Sequence, residues 1–209
     1  MKYIKIIISA VLGGMWISIG GAVYLSVENK VIGSFLFSIG LFMIVTNKLS
    51  LFTGKIGYLF DNKPKYIIDL ILIWIGNFIG TGIVALTLKL TRSSISSEVI
   101  CNTKLNDNLL SIFILAVFCG LLMFVAVNGY KEINDPVGKY IAVSVSVMVF
   151  IICGFEHCVA NMFYFTLGGV LGLKTFGYIL VMTLGNAVGA FIMPLGGKIV
   201  NYDIKTNKA

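Results

Sequence analysis

The chain has 209 residues, 58% of them hydrophobic and 12% charged, with a formal net charge of +7. A soluble domain carries about a quarter charged residues, so this chain has too few polar groups to coat a water-facing surface. It reads as an all-α integral membrane protein. The basic excess lies in short loops and tails, with no basic stripe interleaved with aromatics, which excludes nucleic acid as a partner and marks the charge as a topology signal.

Six apolar segments are expected, at about 4–27, 32–60, 66–88, 109–130, 140–168 and 175–196. Several exceed the roughly 18 apolar residues that read as a membrane span. The first, "MKYIKIIISAVLGGMW", has Lys2 and Lys5 ahead of an apolar run, as a signal peptide does. The run continues to about Val27 without a small-residue cleavage site, so a retained helix is expected. The second contains "TNKLSLFTGK", which puts Lys48, Gly54 and Lys55 at membrane depth, and the fifth contains "EHCVAN". Irregular backbone at that depth is tolerated only inside protein or beside a water-filled cavity. Both breaks therefore point to an internal pathway lined by neutral donors such as Thr53 and Asn161.

Six spans put both termini on one side. That side holds Lys2, Lys5, Lys63, Lys65, Lys131, Lys139, Lys198, Lys205 and Lys208, against Lys30, Lys89, Arg92, Lys104 and Lys174 on the other. The excess favours cytoplasmic termini in an inner (plasma) membrane. The chain also repeats itself. "WIGNFIGTGIVAL" and "TLGNAVGAFIMPL" share Gly-Asn-x-x-Gly, at Gly76, Asn77 and Gly80 and at Gly185, Asn186 and Gly189, and a broken segment precedes each copy. Three spans per half, an odd number, predict two inverted three-helix repeats (about 1–90 and 105–200) in a single domain over 1–209, with the pathway at their interface.

The one histidine, His157, stands beside the second break in "GFEHCVANMF". An ionisable residue at membrane depth is costly and a functional candidate by default, and an imidazole with an ordinary pKa of about 6.5 exchanges protons near neutrality. Glu156 points about 100° away on a helix, and is expected to accept backbone N–H groups freed at the other break, anchoring that loop. Phe37 and Leu41 share a helix face, and Phe150 lies seven residues before His157. Periodicity alone makes these packing residues. Cys101, Cys119, Cys153 and Cys158 show no ligand spacing, so neither metal, disulfide nor cofactor is expected.

"GFEHCVANMFYFTLG" resembles the signature of the formate/nitrite transporter family, and "SLFTGK" resembles its Leu-Phe-Thr-Gly loop. The resemblance covers essentially the whole chain. It implies a homo-pentamer of aquaporin-like subunits in the lipid bilayer, each passing a small anion of a weak acid (formate, nitrite or hydrosulfide), with protons as a second partner. His157 would be the central histidine and Thr53 its hydrogen-bonding loop residue. Leu51 and Phe52, with Lys48 and Ser50 beside them, would form the cytoplasmic-side constriction and gate loop. Phe37, Leu41 and Phe150 would form the outer constriction, and Lys104 would draw anions in.

The chain departs from the family at Gly120, where an asparagine is common, at Ser50, where many members are acidic, at Lys48, which adds a charge, and in lacking a proline after the histidine motif. The rival readings are a channel for neutral solutes, against which stand the missing Asn-Pro-Ala pairs, and an intramembrane enzyme pairing His157 with Ser50 or Glu156. The enzyme would need a nucleophile, base and orienting group that no motif here supplies.

Overall fold

A computed structural model describes residues 1–206, and every regular element among them is helical. In chain order these are α1 (Lys2–Ser26), α2 (Lys30–Phe37), α3 (Ile39–Thr46), α4 (Phe52–Lys55) running into a 3₁₀ turn (Ile56–Asp61), α5 (Tyr66–Lys89), α6 (Glu98–Leu105), α7 (Leu109–Glu132), α8 (Pro136–Ile152), α9 (Cys158–Leu167) and α10 (Leu173–Thr206). Four helices are long and apolar enough to cross a membrane, within Lys2–Ser26, Tyr66–Lys89, Leu109–Glu132 and Leu173–Val200.

The two interrupted segments break where expected. In the first half, α3 ends at Thr46, and irregular backbone returns into the protein before α4 starts at Phe52. In the second half, α8 ends at Ile152 and α9 starts at Cys158, capped by His157. Two features were not legible beforehand. The second segment is also interrupted at Ser38, whose hydroxyl donates to Phe35 O at 2.6 Å, and the loop before the fourth segment folds into α6.

Ionic and polar contacts define two faces. On the terminal face, Lys2 pairs with Asp69 at 2.8 Å and Lys198 with Asp61 at 2.7 Å. On the opposite face, Lys174 donates to Leu105 O at 3.0 Å and Lys30 to Ile152 O at 3.0 Å. Lys205 lies on the last turns of α10, and Lys208 lies outside the described residues.

The helix pairs α1–α5 and α7–α10 pack with the same device. A Cβ at Gly80 would run into Val11 O, and one at Gly189 into Val117 O, so only glycine lets the backbones approach this closely. Gly120 belongs to the same seam. A Cβ there would collide with the backbone of Asn186, so an asparagine side chain has no room.

Candidate functional site

The site is built where the two breaks meet. Each irregular stretch is first tethered to the helix that opens its half: Ser50 N–H donates to Ser9 O at 3.4 Å and Glu156 N–H to Leu115 O at 3.3 Å. An asparagine then closes each break. Asn77 Oδ1 accepts from Phe52 N at 2.9 Å, while its Nδ2 donates to Ala10 O at 2.7 Å and Ser50 O at 3.0 Å. Asn186 Oδ1 accepts from Cys158 N at 2.9 Å, and its Nδ2 donates to Ala116 O at 2.8 Å and Glu156 O at 2.7 Å. An orphaned backbone group in an apolar interior costs several kcal/mol, so these two side chains make the irregular backbone tolerable at depth.

Between the breaks, His157 Nε2 lies 2.9 Å from Thr53 Oγ1, joining residues 104 positions apart. Both are buried. On the other side of the ring, Nδ1 accepts the backbone N–H of Ala160 at 3.1 Å, capping α9. That bond assigns the tautomer: Nδ1 carries the lone pair, so the ring proton sits on Nε2 and is donated to Thr53. In this arrangement the imidazole is neutral.

The Phe150 ring stacks on His157 with centroids 5.7 Å apart, and Phe37 meets Phe150 edge-on at 5.7 Å. Phe37, Leu41 and Leu51 are each 1% exposed. Phe37 and Phe150 thus make an apolar wall against the histidine, and Leu51 lies in the wall of a separate cleft.

One cleft reaches the histidine and another reaches Leu51, from opposite faces. The cleft on the face away from the termini, about 240 Å³, is lined by Lys30, Lys104, Phe150, Glu156, His157 and Asn161 among others. Glu156 and His157 therefore share one cleft, because the backbone between α8 and α9 is not helical and the 100° rule does not apply. The Glu156 carboxylate does not take backbone N–H groups, as the sequence had suggested. Its Oε2 accepts from Lys104 Nζ at 2.5 Å and from Asn161 Nδ2 at 2.8 Å. Lys104 thus reaches the cleft with its charge already matched. Asn161 Oδ1 is buried without a hydrogen-bond partner among the described residues, a free acceptor in the wall of that cleft.

The terminal-face cleft, about 480 Å³, has Leu51 in its wall together with Lys48, Lys55, Tyr130, Lys131 and Lys139. Phe52 does not join Leu51 there. It lies in an apolar groove with Trp74 of α5 and Phe176 and Leu180 of α10, since the first turn of α4 rotates successive side chains apart. Ser50 turns its hydroxyl to Ser9 Oγ at 3.1 Å, away from the cleft.

Sequence reasoning missed Asn77 and Asn186 as the clamps of the breaks, although each is a polar residue in an apolar helix and the shared Gly-Asn motif flagged both. It also missed Lys55, Lys131 and Lys139 as neighbours of Lys48, because they come together only through the packing of α3, α4, α7 and α8.

Residues 1–198 match the sequence profile described as "Formate/nitrite transporter". A protein described as "Probable formate transporter", from Methanothermobacter thermautotrophicus, is 29% identical, with 90% of this chain and 85% of the relative covered. Among solved structures, an "FNT family ion channel" superposes with a TM-score of 0.87 at 21% identity, covering 94% of this chain and 90% of that one. A "Pentameric formate channel with formate bound" superposes at 0.82 with 22% identity, covering 96% and 98%.

Proposed function

The chain belongs to the formate/nitrite transporter family, and from that membership we propose that it is a homopentameric channel for small monovalent weak-acid anions of the formate, nitrite and hydrosulfide class. The observation that carries the reading is the His157–Thr53 hydrogen bond, which joins the two breaks between a cleft from each face. Formate leads the class because the relative named above is described as a probable formate transporter and one structural neighbour as a pentameric formate channel with formate bound. The matched bonds of Asn77 and Asn186 support six spans in two inverted three-helix repeats, an aquaporin-like subunit occupying the whole of 1–209. The lysine distribution supports cytoplasmic termini in the plasma membrane.

The mechanism follows from chemistry at the barrier. A bare anion crossing Phe37, Leu41, Phe150 and Leu51 pays a large desolvation cost, whereas the neutral acid crosses readily. In the chamber the anion replaces Thr53 as the acceptor of the Nε2–H hydrogen bond of His157, and Thr53 offers its own hydroxyl to the passing molecule. Nδ1 is committed to Ala160, so the ring has no site for a second proton without uncapping α9. The proton that neutralises the anion is delivered from bulk solution as hydronium through the cleft, leaving water behind, and His157 holds the anion while it arrives. Once protonated, the acid O–H finds an acceptor in Asn161 Oδ1. Net movement is proton-linked, with Thr53 and the Leu51 loop as the gate.

Proteoliposomes carrying wild type or His157→Ala test this, with formate, nitrite and hydrosulfide flux followed together with internal pH. Wild type is expected to move at least one of them with proton co-entry, and the variant to lose the coupling. Equal rate and coupling in both would remove His157 from the mechanism.

A further inference from the structure

The two clefts differ in a way that passage of a monovalent anion does not require. On the face away from the termini, the Lys104 ammonium is matched by Glu156. On the terminal face, Lys48, Lys55, Lys131 and Lys139 line one cleft with no carboxylate in its wall. None of these four makes an ion pair among the described residues, where the three ion pairs all lie elsewhere.

Their placement is held rather than incidental. Lys131 Nζ sits 3.7 Å from the centroid of the Tyr58 ring and Lys139 Nζ 5.7 Å from that of Tyr130, contacts that orient an ammonium without neutralising it. Lys48 takes φ 55°, and is the only non-glycine residue with positive φ among the described residues. It terminates α3 in a left-handed turn in which Leu49 N–H returns to Ile44 O at 2.9 Å. Glycine is the ordinary residue there, and any side chain costs about 1 kcal/mol. A lysine kept at that position extends the positive wall of the cleft at the expense of the local backbone.

Four ammonium groups around about 480 Å³, with no carboxylate in the cleft wall and only Glu132 behind Lys131 acting on it from outside that wall, exceed what a small, singly charged passenger can use. Efficient conduction also needs weak binding. We propose that the terminal-face cleft is a binding site for a multivalent phosphate anion, a soluble ligand with three or more negative charges, which seats over Leu51 and blocks entry from that face. The blocking half rests on the reading of this cleft as a pore mouth. The binding half does not. The charges act together because the cleft focuses their field, and the interaction weakens as salt screens it.

The probe is inorganic tripolyphosphate, titrated calorimetrically into the purified full chain in phosphatidylcholine nanodiscs at low and at high salt. Saturable, salt-sensitive binding is expected, weakened by about tenfold or more in a Lys131→Gln/Lys139→Gln double variant, since each lost contact is a charge-assisted hydrogen bond. The Lys131→Arg/Lys139→Arg variant retains binding and so guards against misfolding as the cause. Absence of saturable binding to wild type, or equal binding by the Gln variant, overturns the site. Binding that disappears when phosphatidylglycerol replaces phosphatidylcholine overturns a soluble ligand in favour of lipid headgroups. In proteoliposomes, tripolyphosphate on the terminal face alone is expected to inhibit formate flux. Binding without inhibition leaves the site in place and sinks the blocking role.

Discussion

Asn77 and Asn186, 109 positions apart in the sequence, make the same three hydrogen bonds in the two halves of the molecule. Each accepts from the first backbone N–H of a short helix and donates to two carbonyls, one on the helix that opens its half and one in the break. Asn186→Ala removes all three at once and leaves buried backbone groups unpaired, at about 1–3 kcal/mol each. A large drop in melting temperature in detergent is expected, and Asn77→Ala should behave alike. A variant melting within a degree or two of wild type would show that water replaces the side chain.

Thr53 and His157 meet across the site through one hydroxyl. Thr53→Val keeps the shape and removes the hydroxyl that donates to the passing anion, so formate flux should fall by about tenfold, the equivalent of one hydrogen bond of about 1.4 kcal/mol. Thr53→Ser should recover most of it. Should valine and serine give the same flux, the hydroxyl plays no part in passage.

The Lys104–Glu156 pair is largely desolvated, with side chains 13% and 4% exposed. Breaking it from either side leaves a buried charge, at a cost of about 3 kcal/mol, the lower end for such pairs because Lys104 keeps some solvent. Lys104→Met and Glu156→Gln combined should lose less stability than the sum of the two single changes. Strict additivity in scanning fluorimetry would mean that the two groups do not interact in solution.

Gly189→Ala puts a Cβ against Val117 O on α7, a backbone atom that no rotamer change can move. The α7–α10 seam must open, and Asn186, one turn earlier on α10, is drawn off its carbonyls. Loss of the monodisperse peak in size-exclusion chromatography is expected. Gly82→Ala, where a Cβ meets nothing within 4 Å, serves as the tolerated control.

Cys101 on α6 lies outside the long apolar helices, buried with Sγ 3.3 Å from Tyr164 O. Burial pushes its thiol pKa up from the usual value, so the thiolate fraction at neutral pH is smaller than for a free cysteine. Maleimide labelling in a background lacking the exposed Cys153 should be slow at neutral pH and rise as the pH is raised. Labelling at the rate of the denatured chain would place Cys101 at the surface.

Much of this protein was legible in the sequence because a membrane imposes strong local rules. Apolar runs long enough to span, irregular stretches that have to be buried and a lone histidine beside one of them follow from the cost of placing polar groups in hydrocarbon. The paired Gly-Asn motifs marked the two asparagines that make matching hydrogen bonds for the same reason, since polar residues in apolar helices are not scattered at random. What the chain could not disclose depends on orientation across breaks. Glu156 shares a cleft with His157, and Phe52 parts from Leu51, because backbone outside a helix has no fixed rotation per residue to reason from. Gly120 proved to be a packing position, since its neighbour is the backbone of Asn186, 66 residues further on. The matching of Lys104 by Glu156, against the gathering at the other end of four lysines with no ion pair among the described residues, came from tertiary structure alone. Coulombic interactions depend on distances that four separate helices set only once they are packed.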